Sequence, residues 1–173
     1  MPAMTFLDLM NAAERGTHPF WAPPAVFLQA SDSTNQQPSA TTPVQVTLNT
    51  LDGQSGDFVL AATGDITFLR AGIYLIIFGG QVGETSNAHL VVNLWLRKNG
   101  ADIPNTNVSN SVTLTTDTKV VVANCVAAFR DGDVLKIMMS CDTLSKGGGL
   151  IASSPVGEAK IPSIMVSVAR VGD

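Results

Sequence analysis

The stretch Phe68-Leu-Arg-Ala-Gly-Ile-Tyr-Leu-Ile-Ile-Phe78 decides how this chain is read. Every residue from Ile73 to Phe78 is apolar or aromatic, and three of the six are isoleucine. Branched and aromatic side chains of this kind suit a pleated strand. The run is far too short to cross a bilayer, which takes about 20 apolar residues. Gly72 opens it and Gly79-Gly80 marks a bend or bulge beyond it, within a strand expected over 72–82. Such a strand is apolar on both faces. In an antiparallel sandwich one face meets the core, and a neighbouring subunit would cover the other.

Outward from this strand, the chain from residue 24 onward is a series of short β-rich runs separated by turn residues, the pattern of a sandwich or barrel. Ten strands are expected, at 25–30, 44–49, 58–61, 65–68, 72–82, 88–98, 111–115, 119–130, 133–141 and 163–171. Asp52-Gly53, Asn99-Gly100 and Asp131-Gly132 are turn, bulge or bend signals between or within them. The polar stretches 31–43 and 146–149 read as loops. Alternation sets the faces of two strands. Ala88, Leu90, Val92, Leu94 and Leu96 form an apolar set expected to face the core, opposite His89, Val91, Asn93, Trp95 and Arg97. Leu135, Ile137, Met139 and Cys141 likewise point inward, opposite Val134, Lys136, Met138 and Ser140.

Residues 1–23 have a different character and are expected to form a separate N-terminal arm ahead of a domain at 24–173. Thr5 can cap a short helix, with Asp8 three residues later near its positive end. Phe6, Leu9, Met10 and Ala13 then share one face, and Gly16 is a stop. A helix of about 10 residues does not hold in water alone. Its apolar face needs a surface, which this same domain, another subunit or a different protein could each supply. The prolines of His18-Pro-Phe-Trp-Ala-Pro-Pro24 make the next segment an extended connector.

The chain has 173 residues, a net charge of −4 and only 14% charged residues, against about 25% in average soluble domains. That deficit means either a surface that is polar but uncharged, which the Ser, Thr and Asn content favours, or surface hidden against partners, which a positive mean hydropathy keeps open; together they suggest an oligomer. The ten Lys and Arg are scattered, which gives no basic patch for nucleic acid and no polybasic segment for anionic lipid. The first residues lack the basic start of a signal peptide. Cys125 and Cys141 make neither a zinc site nor a disulfide framework. Two reduced thiols are expected, with a bond between them as the alternative.

No catalytic constellation is legible. His18 falls in the connector and His89 on a strand's outer face, whereas a hydrolase needs nucleophile, base and orienter in contact. Asp131-Gly-Asp133 offers two carboxylates, too few to fill the six to eight oxygen positions of calcium. Lys146-Gly-Gly-Gly149 lacks the order of a phosphate loop. No catalytic residue, cofactor or metal ligand is assigned, and the expectation is a protein that is not an enzyme.

Phe68 followed by Gly72 and Tyr74 resembles the core pattern of the C1q family, in which a glycine and a tyrosine open a long central strand. Pro24-Ala-Val-Phe-Leu28 resembles that family's opening strand, and Leu94-Trp-Leu-Arg-Lys-Asn-Gly100 its strand and Lys-Asn-Gly turn. Phe129-Arg-Asp-Gly-Asp-Val-Leu135 resembles the Gly-Asp turn into the next-to-last strand, and Ser163-Ile-Met-Val-Ser-Val168 the closing strand. The resemblance covers residues 24–171. It implies an all-β, ten-stranded C1q/TNF-like jelly roll assembled as a homotrimer. The doubly apolar central strand is then assigned to the trimer interface through Tyr74, Ile76 and Phe78.

The segment Lys98-Asn-Gly-Ala-Asp-Ile-Pro-Asn-Thr-Asn107 resembles versions found in virion structural proteins of bacteriophages and large DNA viruses. Unlike secreted animal members, the chain shows no collagen-like tract. The resemblance implies a virion location and a trimeric capsid cement or decoration protein. Its arm would grip the major capsid protein or another virion protein through Phe6, Leu9, Met10, Phe20 and Trp21. The alternative is a receptor- or glycan-binding head of a tail fibre, with recognition carried by loops 31–43 and 142–149.

Overall fold

The computed structural model describes residues 25–86, 89–143 and 146–173. The arm, with Phe6, Leu9, Met10, Phe20 and Trp21, lies outside them, as do His18 and Ala88. The described residues form strands β1 (Phe27–Asp32), β2 (Val44–Gln45), β3 (Thr50–Gln54), β4 (Phe58–Leu60), β5 (Ile66–Phe68), β6 (Gly72–Gly83) and β7 (Leu90–Lys98). After these come β8 (Ala101–Asp102), β9 (Val108–Val112), β10 (Lys119–Phe129), β11 (Val134–Cys141), β12 (Gly149–Leu150) and β13 (Ile164–Gly172).

Two antiparallel sheets face each other. Sheet one runs β10-β6-β13-β1-β3, with β12 joined to the end of β6. Sheet two runs β4-β5-β11-β7-β8, with β2 also on β11 and β9 on β7. All ten expected strands have counterparts. The three that sequence reading missed are β3, β8 and β12, each at the margin of a sheet. β3 is polar and contains Asp52-Gly53, which is a bulge within an edge strand: Gln29 pairs with Gly53, and Ala30 next pairs with Leu51.

The core lies between the sheets. Leu90, Val92, Leu94 and Leu96 from β7 and Leu135, Ile137, Met139 and Cys141 from β11 are buried there, as alternation predicts. Leu28, Val166 and Val168 meet them from sheet one. So do Tyr74, Ile76 and Phe78, which are buried inside the protomer and are therefore no part of its surface. Their assignment to the trimer interface is corrected here: the outer face of β6 is the alternate set Ile73, Leu75 and Ile77. Both sets are apolar, so period-two reading gives no phase. Volume decides it, because the inner set meets the large aromatic side chains of other strands.

Those aromatics close one end of the sandwich. Phe68 stacks on Phe129 with ring centres 3.9 Å apart. It also meets Tyr74 edge-on at 4.7 Å and Phe58 at 5.3 Å. The Tyr74 hydroxyl donates to the Arg70 carbonyl at 2.7 Å, tying the strand to its preceding turn. Burial pushes the Tyr74 phenol above its usual pKa, so it stays a donor.

The Lys-Asn-Gly and Gly-Asp turns lie against each other at this end. Asp133 accepts from the Arg130 backbone N–H at 2.7 Å and from Asn99 Nδ2 at 2.7 Å, and pairs with Lys98 Nζ at 2.7 Å. Asn99 Oδ1 in turn accepts from the Val134 N–H at 2.8 Å. Lys98 Nζ also sits 4.7 Å from the Phe129 ring centre. The Arg130 N–H, followed by Lys98, holds the Asp133 carboxyl down to about 2. A depressed folded-state pKa means that this contribution is present above the ordinary 3.8 and is lost as pH falls through about 2. Asp133→Ala is expected to lower stability by about 2–3 kcal/mol at neutral pH. Urea melts at pH 7 and pH 2 check this: the gap between the wild type and the variant should narrow at the lower pH.

Candidate subunit interface

The outer face of sheet one is built row by row from strand register. Val122 of β10, Gly79 of β6 and Met165 of β13 lie side by side. The next row is Asn124, Ile77 and Ser167, and the next is Val126, Leu75 and Ala169. Phe27 of β1 extends the last row beyond Ala169. Ile77 is 42% exposed, Met165 48%, Val120 68%, and Val122 and Val126 62% each. Scattered exposed apolar residues are ordinary, but a cluster of them spread over β10, β6 and β13, broken only by Asn124 and Ser167, marks an interaction surface.

A groove of about 400 Å³ crosses this face between Ile77, Val120, Val122, Ile161 and Met165. Gly79 provides its floor. A Cβ there would come 2.6 Å from the Val121 carbonyl oxygen, so the close approach of β10 excludes any side chain in the middle of that row. The Gly79-Gly80 pair therefore shapes the surface without ending the strand. Gly80 faces the other way, where a Cβ would meet Leu150 Cδ2 at 2.7 Å.

β10 is the second part of the surface. It is 11 residues long, free of proline, and paired through the sheet path only with β6. Its ladder edge carries a charge only at Lys119. Natural sheets usually blunt such an edge with charges, prolines or short length, because an open row of N–H and C=O groups templates association. An edge without a paired strand, beside an apolar face, suits a contact between subunits. Sequence reading anticipated a covered face on β6, but the exposed valines of β10 add to it only once strand pairing is known.

His89 is exposed, one residue ahead of β7. Cys125 is half-buried on β10 and Cys141 is buried at the end of β11; both are free thiols, each raised above its usual pKa mainly by burial. Among the described residues, no three His, Cys, Asp or Glu side chains converge as a metal site.

No protein-family sequence model matches the chain, and no curated protein is similar to it in sequence. Solved structures do resemble it. Murine APRIL superposes with a TM-score of 0.54 at 12% identity, covering 85% of this chain and 99% of its own. Eiger TNF from S. frugiperda gives 0.51 at 12% identity, covering 87% and 95%. The globular domain of zebrafish complement 1qA gives 0.50 at 16% identity, covering 84% and 94%. Two antiparallel sheets in this strand order, with these likenesses, make the described chain a TNF/C1q-like jelly roll.

Proposed function

We propose that this chain is a non-catalytic structural module that closes into a homotrimer through the outer face of sheet one, and that the trimer acts on a virion as a capsid cement or decoration protein. The observation that carries the assembly is the apolar face around Ile77, Val122, Val126 and Met165, flanked by the β10 edge, which pairs with no second strand. Face and edge are different surfaces, so a contact that sets the edge of one subunit on the face of the next is heterologous. Heterologous contacts close into rings when the rotation permits. The resemblance to C1q/TNF-like domains supports a ring of three.

The virion role draws on the likeness of residues 98–107 to viral versions of the domain and on the apolar arm at residues 1–23. The arm would hold the trimer to the major capsid protein or another virion protein, leaving the jelly roll outside. Light scattering after size exclusion tests the first part: a mass of three times 18.1 kDa is expected, and 18.1 kDa alone would overturn it. Binding to empty shells of the encoding virus tests the second. Leu9→Asp with Trp21→Asp should abolish binding without changing the mass, and unchanged binding would overturn the arm's role.

A further inference from the structure

Sheet two presents a different outer face. Trp95 and Met138 are cross-strand partners on it, yet only 8% and 5% exposed. Alternation correctly points them away from the core but does not foresee that they are covered. The cover for Trp95 is the segment between β8 and β9. The Ile103 N–H donates to the Leu96 carbonyl at 2.9 Å, and Thr106 Oγ1 accepts from the Leu96 N–H at 3.1 Å. These bonds fold residues 103–107 along the margin of β7. The indole N–H donates to Asp102 Oδ1 at 2.8 Å, and Arg97 Nε donates to the same oxygen at 2.7 Å.

The result is a cleft of about 320 Å³ with Trp95 in its lining and polar side chains around it: Asn93, Asp102, Asn105, Asn107 and Ser140. Among the described residues, the side chains of Asn105 and Asn107 have no hydrogen-bond partner, and Asn93 has one long bond of 3.5 Å to Ser140. Asp102 Oδ2 is likewise unengaged there, while Oδ1 is fully used. Arg97, followed by Trp95, keeps this carboxyl below its usual pKa, so it presents an ionised acceptor.

We infer that this cleft binds a neutral saccharide ring. Ligand sites are small clefts, about 300 Å³ or more, in which a few placed polar groups converge around an apolar lining. Carboxamides both donate and accept, matching hydroxyls that do the same. Ile103 and the uncovered rim of the indole give a small apolar patch beside these amides, against which the C–H edge of a pyranose can rest. No cation lines the cleft, and its one charged lining residue is a carboxylate, which disfavours phosphate and acidic sugars. The site is on the sheet opposite the proposed subunit contact, so it stays open whether or not that contact forms. The inference therefore rests on the fold and not on the trimer.

The test is a protein-observed NMR titration of the full chain with glucose, galactose, mannose and N-acetylglucosamine, with N-acetylneuraminic acid and inorganic phosphate as anionic arms. At least one neutral sugar is expected to shift the Trp95 indole N–H and the Asn93 and Asn107 amide signals with a millimolar Kd. Asn107→Ala and Asn93→Ala should each weaken that binding about tenfold, roughly one hydrogen bond's worth. Asn107 is exposed, so its truncation leaves the core intact. Absence of shifts from any neutral sugar at ~50 mM, tens of times a millimolar Kd, overturns the inference. So does tighter binding of the anions, or binding that both alanine variants leave unchanged. The mass of the same sample reads the trimer separately, so failure of one proposal is distinct from failure of the other.

Discussion

Ile77→Asp combined with Val122→Asp is expected to convert a particle of three times 18.1 kDa into one of 18.1 kDa, with the far-ultraviolet circular dichroism of a β protein retained. Both side chains already point out of the protomer. A carboxylate at either position therefore stays hydrated in the single subunit. In the assembled ring the same carboxylate would be buried without a partner, which costs about 3–5 kcal/mol. The penalty recurs at every contact around the ring, enough to shift association by several orders of magnitude. Val59→Asp is the matched control. Val59 is 50% exposed, but on β4 at the margin of sheet two, so the variant should remain a trimer. Light scattering after size exclusion at several loading concentrations reads all three proteins. Persistence of the trimer in the double variant would move the interface off sheet one.

Phe68→Ala is expected to have the largest effect on folding, a loss of about 3–5 kcal/mol. Phe68 is fully buried and is the hub of the aromatic cluster, in contact with Phe58, Tyr74 and Phe129 from three other strands. Removing the ring leaves a cavity that the neighbouring rings, held by both sheets, cannot fill by collapse. Net stabilities of domains are about 5–15 kcal/mol, so the variant stands near the edge of folding. Tyr74→Phe separates packing from polarity at the same place. It keeps the ring and removes only the hydroxyl bonded to the Arg70 carbonyl, so a loss of about 1 kcal/mol is expected. Urea midpoints at one fixed protein concentration check both, since oligomer stability depends on concentration. A Phe68→Ala cost no larger than that of Tyr74→Phe would show that the cluster is not the anchor of this end of the sandwich.

Residues, turns and alternation determined a good deal by themselves. The inward sets of β7 and β11 follow from period two, because on those strands one set is polar or mixed and the other wholly apolar. Asn99-Gly100 and Asp131-Gly132 mark where strands reverse; both glycines have positive φ, and Asn99 tolerates it as well. The mutual locking of these two turns through Asp133 joins residues 34 apart in sequence at the closest, a pairing that no local pattern displays.

Three things were decided by tertiary structure alone. The phase of β6 was illegible because Tyr74, Ile76, Phe78 and Ile73, Leu75, Ile77 are equally apolar. Only the arrival of Phe58, Phe68 and Phe129 from other strands selects the first set for the core. The apolar outer surface exists because strands distant in sequence, β6, β10 and β13, become neighbours and place Ile77, Val122 and Met165 on adjoining rows. The cleft beside Trp95 depends on a segment without regular structure folding back along β7. In each case the determinant is a long-range contact. Periodicity reports which residues share a face of one strand, but which surface that face meets depends on how the strands assemble.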